Sequence, residues 1–252
     1  MAIWVKRLIA IVVSVAVLAG LGEIALRLII PNAIAGAVRS QLKLTPDHPV
    51  DVSLGGSALL YAVTGRVGDV TVDVPDTPLI EGLTADASLH AASVPFNPTS
   101  GEIREGSVAL TLSPEQLGAV ISTLTSGVAD TGEVRDGSLV VGRTMEFFGQ
   151  QVPLTATLQL AVVGDGDVEV TPEGLSAAGL DLSTEMIAQA GGSVLEPLLQ
   201  PRTVCVRDQL PKGLKLTGIS FSSTGSATIE ADLAPGILSD PAQRDTGSCE
   251  AG

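Results

Sequence analysis

The chain has 252 residues and a net charge of −14, from 28 acidic and 14 basic side chains, with only six aromatic residues. Residues 1–43 hold five of the basic residues and one acid, so the remainder carries nine basic against 27 acidic residues, a net of −18. Such a surface repels phosphate backbones and argues against nucleic acid as a partner, and the five aromatics beyond Trp4 are too few to build a stacking platform.

Lys6 and Arg7 precede fifteen uncharged residues, Leu8 to Gly22. A basic cap followed by an apolar run directs export, with the basic end kept in the cytoplasm. Two fates fit residues 1–22. Fifteen residues is the upper end of a signal-peptide core, and Val17-Leu18-Ala19 or Ala33-Ile34-Ala35 would serve as a cleavage site. Counted from Ile3, with Lys6 and Arg7 snorkelling to the interface, the run approaches the ~20 residues of a tilted signal anchor, a transmembrane helix. The expected location is therefore the cell membrane, facing outward, or the cell envelope after secretion.

From Ile24 to Leu44 the apolar residues Ile24, Leu28, Ala35, Val38 and Leu42 recur at helical spacing. Pro31 is expected to interrupt this helix, separating the membrane part from a part that packs on the domain. After Pro46–Pro49 the chain reads as strands. The clearest is Val152–Val162, where Val152, Leu154, Ala156, Leu158, Leu160 and Val162 alternate with more polar positions. Its expected partner is Ser138–Phe147, with Leu139, Val141, Met145 and Phe147 on the matching face and a turn at Phe148-Gly149-Gln150. Further strands are expected at Val67–Val74, Leu83–Leu89, Ser107–Leu112, Val168–Val170, Leu214–Phe221 and Ala227–Leu233. Asp136-Gly137 and Asp165-Gly166 are hairpin turn signals.

An internal repeat joins Leu110–Leu117 to Leu180–Ile187. Each copy ends a strand with a serine suited to helix capping and places a glutamate in the first helical turn. Helices are expected over about 114–125 and 184–199. Cys205 and Cys249 are the only cysteines. In an oxidising compartment they are expected to form a disulfide that ties the C-terminal tail, 236–252, to the body.

The order of elements resembles that of the LmeA-like phospholipid-binding family of actinobacterial cell-envelope proteins. The residues that carry the resemblance are Val50-Asp-Val52-Ser-Leu54-Gly55-Gly56, Leu59-Leu60-Tyr61-Ala62-Val63-Thr64-Gly65-Arg66, Val70-Thr-Val72-Asp-Val74, the Asp136-Gly137 hairpin and Leu210-Pro-Lys-Gly-Leu-Lys-Leu216. It covers about 23–235, which is taken as one lipid-binding α+β domain. The resemblance implies a tubular, BPI-like lipid-binding fold: a long curved antiparallel sheet wrapped around helices, with an apolar groove for phospholipid acyl chains. It also implies a role in envelope lipid or lipoglycan metabolism. It brings no catalytic residue and no cofactor.

The expected groove wall is Leu139, Val141, Met145, Phe147, Leu154, Leu158, Leu160, Ile219 and Phe221. Leu59, Leu60 and Tyr61 form an apolar cluster between glycines, expected either to gate the groove or to dip into the membrane, with an ordinary helical turn as the plain alternative. His48 and His90 have no Cys or His partner at ligand spacing, so no metal site is expected. The acidic run Asp165, Asp167, Glu169 lacks the closing carboxylate of a calcium loop, since Ser176 stands at its twelfth position. No nucleophile elbow, phosphate loop or metalloprotease motif occurs, and an enzyme is not expected. The alternative function is a non-catalytic structural or assembly factor of the envelope that binds a protein partner.

Overall fold

The computed structural model describes residues 3–80, 82–124, 129–147, 150–177, 180–183 and 200–249. The chain opens with one long helix, α1 (Ile3–Gln41), which runs through Pro31 without the expected break. Packing explains this. Ile30, Ile34 and Val38 lie on the buried residues Val67, Val70, Val72 and Val74, so the same sheet holds the helix on both sides of the proline. Asn32 Nδ2 adds a bond to the Leu28 carbonyl at 2.7 Å, in the turn that the proline weakens.

Beyond α1 the fold is α+β. β1 (Asp51–Leu54), α2 (Ala58–Val63), β2 (Arg66–Ile80), β3 (Leu83–Pro95) and β4 (Arg104–Leu112) lead to α3 (Pro114–Leu124). Then come β5 (Thr131–Arg135), β6 (Ser138–Phe147), β7 (Gln150–Val163), β8 (Asp167–Ala177), β9 (Leu180–Ser183) and β10 (Arg202–Val204). The strands β11 (Leu214–Phe221) and β12 (Ala227–Leu233) close the series. Each strand expected from alternation is present, several of them longer than expected. Asp136 and Gly137 form the two-residue turn between β5 and β6, with positive φ of 52° and 80° as a type I′ turn demands.

The strands do not form one long sheet. Among the described residues they divide into two antiparallel sheets, ordered β1-β2-β3-β4-β12-β11 and β10-β8-β7-β6-β5, with β9 on β8. The cause lies at β4. Its free edge is taken by β12, from more than a hundred residues downstream, and α3 carries the chain away to start the second sheet at β5. α3 begins as expected: Ser113 precedes Pro114, and the Glu115 carboxylate is held below its usual range by its own backbone N–H and by the Ser113 hydroxyl. The second copy of the repeat supplies β9. The expected helix over 184–199 lies outside the described residues, as do Phe148 and Gly149.

Cys205 and Cys249 are disulfide-bonded. Residues 243–247 run back along 210–213, with Gly213 N donating to Gln243 O, Lys212 N to Asp245 O and Gly247 N to Leu210 O, at 2.7–2.9 Å.

Candidate functional site

Strand register builds an apolar surface from residues that are far apart in sequence. Three rows cross the first sheet: Leu54-Val70-Ala91-Gly106-Leu233-Leu214, Val52-Val72-Leu89-Val108-Ala231-Leu216 and Val74-Ala87-Leu110-Ile229-Ile219. Directly paired residues share a face, so all three rows lie on one side. The other side carries Ser53-Thr71-His90-Ser107-Asp232-Lys215 and Asp51-Asp73-Ser88-Ala109-Glu230-Gly218. The sheet is two-faced: aliphatic on one side, hydroxylic and charged on the other. At ~4.8 Å per strand, six strands make an apolar track of about 24 Å.

α1 covers the β2 end of this track and buries its valines. Further along, Leu89, Val108, Leu110, Ile219 and Ile229 are only half-buried. The track then meets the second sheet. Leu117 of α3, Leu139 of β6 and Ala227 of β12 form one buried cluster, onto which Ile121, Val134, Val141, Leu160 and Phe221 pack. The helix thus seats where the two apolar faces join.

The structure brings Leu139, Val141, Leu160 and Phe221 together in that cluster. Leu158 is paired with Leu139, Leu154 faces Arg143, and Ile219 belongs to the first sheet opposite Ile229. Met145 and Phe147 occupy β6 opposite Val152 and Gln150; their side chains lie outside the described part. Sequence reasoning missed the share of Leu89, Val108, Leu110 and Ile229. Their alternation was readable, but the faces they share are fixed by pairings of β3, β4 and β12 that no local pattern encodes.

A second constellation joins the N-terminal helix to the domain. The Glu23 carboxylate accepts from Ser57 Oγ at 2.9 Å, Ala58 N at 2.9 Å and Leu59 N at 2.8 Å. It thereby caps the start of α2 from another helix. Arg27 Nε donates to the same carboxylate at 2.8 Å, and its other nitrogens donate to the carbonyls of Leu54 and Gly56. The Leu59 N–H, Arg27, the Ala58 N–H and Ser57, in that order, hold the Glu23 carboxyl down at about 2. The segment expected to gate or dip is the helix α2. Ala58 is buried, and the Tyr61 ring lies over Gly68, where a Cβ would come within 2.0 Å of it. Leu60 and Val63 point outward, 71% and 80% exposed.

The polar groups make structural pairs. His48 Nε2 lies 2.7 Å from the Pro75 carbonyl, and His90 Nδ1 lies 3.2 Å from Thr71 Oγ1 on the solvent face. The acidic tip between β7 and β8 reaches the first sheet through Asp165, which pairs with Lys215 of β11 at 3.2 Å, while Asp167 pairs with Arg207, in the turn between β10 and β11, at 3.2 Å. No group of three His, Cys, Asp or Glu suited to a metal ion occurs among the described residues.

A family model described as LmeA-like phospholipid-binding matches residues 21–225. Comparison with curated proteins and with solved structures gives no match.

Proposed function

From the premise that the chain belongs to the LmeA-like phospholipid-binding family, we propose that it is an extracytoplasmic protein that holds phospholipid acyl chains against the apolar track and serves cell-envelope lipid or lipoglycan metabolism. The observation that carries this reading is the continuity of the track. Half-buried aliphatic side chains run from Leu89 and Val108 through Leu110, Ile229 and Ile219 to the Leu117–Leu139–Ala227 cluster and its neighbours Val141, Leu160 and Phe221. A closed core would bury such side chains fully; a groove leaves them partly open until a ligand covers them. Each methylene taken out of water contributes about 0.8 kcal/mol, so ten give about 8 kcal/mol before the costs of binding. No specific chemistry is required of the wall.

In this reading the two sheets and α3 form a tubular lipid-binding architecture, and α1 is its signal anchor. Residues 3–22 are the membrane-crossing part. The stretch Ala16–Gln41 is also long and apolar enough to cross a membrane. From Glu23 onward α1 is nevertheless committed to the protein, through Glu23, Arg27 and the packing of Ile30, Ile34 and Val38 on the valines of β2. The Cys205–Cys249 bond fits an oxidising compartment. Function then follows from placement: the track begins beside the helix that reaches into the lipid supply.

Native mass spectrometry of the full chain, released from membranes in mild detergent, tests this. Bound phospholipid, exchangeable for added phosphatidylglycerol or phosphatidylinositol, is the expected result. A ligand-free mass that added lipid leaves unchanged would sink the proposal and favour a packed scaffold that binds a protein partner.

A further inference from the structure

The geometry points to a second membrane contact beside the anchor: the outward face of α2, with Phe96, inserts into the boundary between headgroups and hydrocarbon of the leaflet from which α1 emerges. Leu60 and Val63 are three residues apart, on one face of α2, and both are strongly exposed. Phe96, 52% exposed, is tied to the end of the same helix, because its N–H donates to the Gly65 carbonyl at 3.0 Å. Leu21, Ile24 and Leu28 of α1 are exposed as well, and Leu59 reaches to 3.6 Å of the position a Cβ on Gly22 would occupy. The exposed apolar residues Leu79, Leu175, Val204 and Leu238 lie in other elements, outside α1 and α2.

The occupant follows from the Glu23–Arg27 tie. Both residues bond to the loop that starts α2, so α2 cannot drift along α1. If residues 3–22 span the bilayer, Glu23 is the first charge past the hydrocarbon, and a helix capped by it sits within about one turn, ~5 Å, of that boundary. Charge does not drive the contact. Arg27 is engaged by Glu23 and two carbonyls, and Arg66 by Ser93 and the Glu102 carbonyl. The contact is therefore hydrophobic and indifferent to headgroup charge, which suits a domain whose acidic surface repels anionic lipid.

The inference rests on the anchored reading, and three nitroxide labels separate the two. Val63→Cys, Leu18→Cys and Asp73→Cys, the last on the polar face of the first sheet, are placed singly in the full chain. The native cysteines are paired with each other and leave the new thiol selective. In phosphatidylcholine nanodiscs, labels at 18 and 63 should both lose access to a water-soluble nickel chelate and gain access to oxygen, while 73 keeps nickel access. Adding phosphatidylglycerol should leave all three unchanged. Lipid access at 18 with aqueous access at 63 overturns the α2 contact alone; aqueous access at both overturns the anchor too. Shielding at 63 from both reagents overturns it in favour of a protein contact.

Discussion

The two ends of the domain are tied down by different chemistry. At the N-terminal end a carboxylate and a guanidinium from α1 grip the loop before α2, through Glu23 to Ser57, Ala58 and Leu59 and through Arg27 to Leu54 and Gly56. At the C-terminal end a covalent bridge, Cys205–Cys249, fixes the tail whose residues 243–247 run along 210–213, and the β7–β8 hairpin pairs with the same region through Asp165–Lys215 and Asp167–Arg207. The first tie is reversible and depends on charge, and it sits at the proposed membrane side. The second survives any change of charge and closes the side away from α2. A lipid-handling fold gains from this division, because one end stays able to yield while the junction of the sheets is held.

Breaking the covalent tie should have the largest effect. The bridge spans a sequence separation of 44 residues, and the chain-entropy model assigns such a loop about 4 kcal/mol. Cys205→Ser, or reduction, should lower Tm by about 10 °C, with exchange of backbone amides rising first over 203–213 and 243–249. The α1–α2 amides should stay protected. Loss of protection at both ends together would show that the ties are not independent.

Gly68→Ala should come next, at about 1–3 kcal/mol of overpacking, because its methyl lands within 2.0 Å of the Tyr61 ring in a buried position. Calorimetry should show the loss, and Gly68→Ala with Tyr61→Ala should recover part of it. No recovery in the double variant would mean that the ring is not what the methyl strikes. Leu110→Trp fills the half-buried track while adding little strain, so it should cut phospholipid occupancy several-fold with a small change in Tm. Unchanged occupancy would place the lipid elsewhere.

The smallest effect belongs to pH. The Glu23 carboxyl lies at about 2 in the folded protein, below the ordinary 4.5. Its contribution is complete above about pH 4.5 and is lost as the pH falls toward 2. Protection of the Ala58 and Leu59 amides should therefore hold at pH 5 and fade toward pH 2. Glu23→Gln should show reduced protection of the same amides already at pH 7. An equal pH dependence in wild type and Glu23→Gln would contradict the assignment.

What the sequence disclosed was local. Alternation at Val152–Val162 marked β7, Asp136-Gly137 marked the turn between β5 and β6, and Ser113 with Glu115 marked the start of α3, because each signal lies within a few residues of its cause. The division into two sheets was hidden, since β4 chooses β12 over β5 for reasons of register that adjacent residues do not record. Glu23 reads in sequence as the charge that ends an apolar run; its meaning lies with Ser57–Leu59, more than thirty residues away. Pro31 misled for a related reason. The proline rule describes a helix in isolation, and here a sheet holds both halves. The wall residues expected on β6 and β7 belong to the second sheet, whereas the half-buried Leu89, Val108, Leu110 and Ile229 of the first sheet fall outside that expectation, which reaches this sheet only at Ile219 and Phe221.

The most direct test of the account is photo-crosslinking of the full chain in membranes with a phospholipid that carries a diazirine in its acyl chain, followed by peptide mapping. The account predicts adducts on β3, β4 and β12 around Leu89, Val108, Leu110 and Ile229, continuing to Val141 and Leu160, and fewer in Leu110→Trp. Adducts confined to residues 3–22 of α1, with none on the sheets, would contradict it.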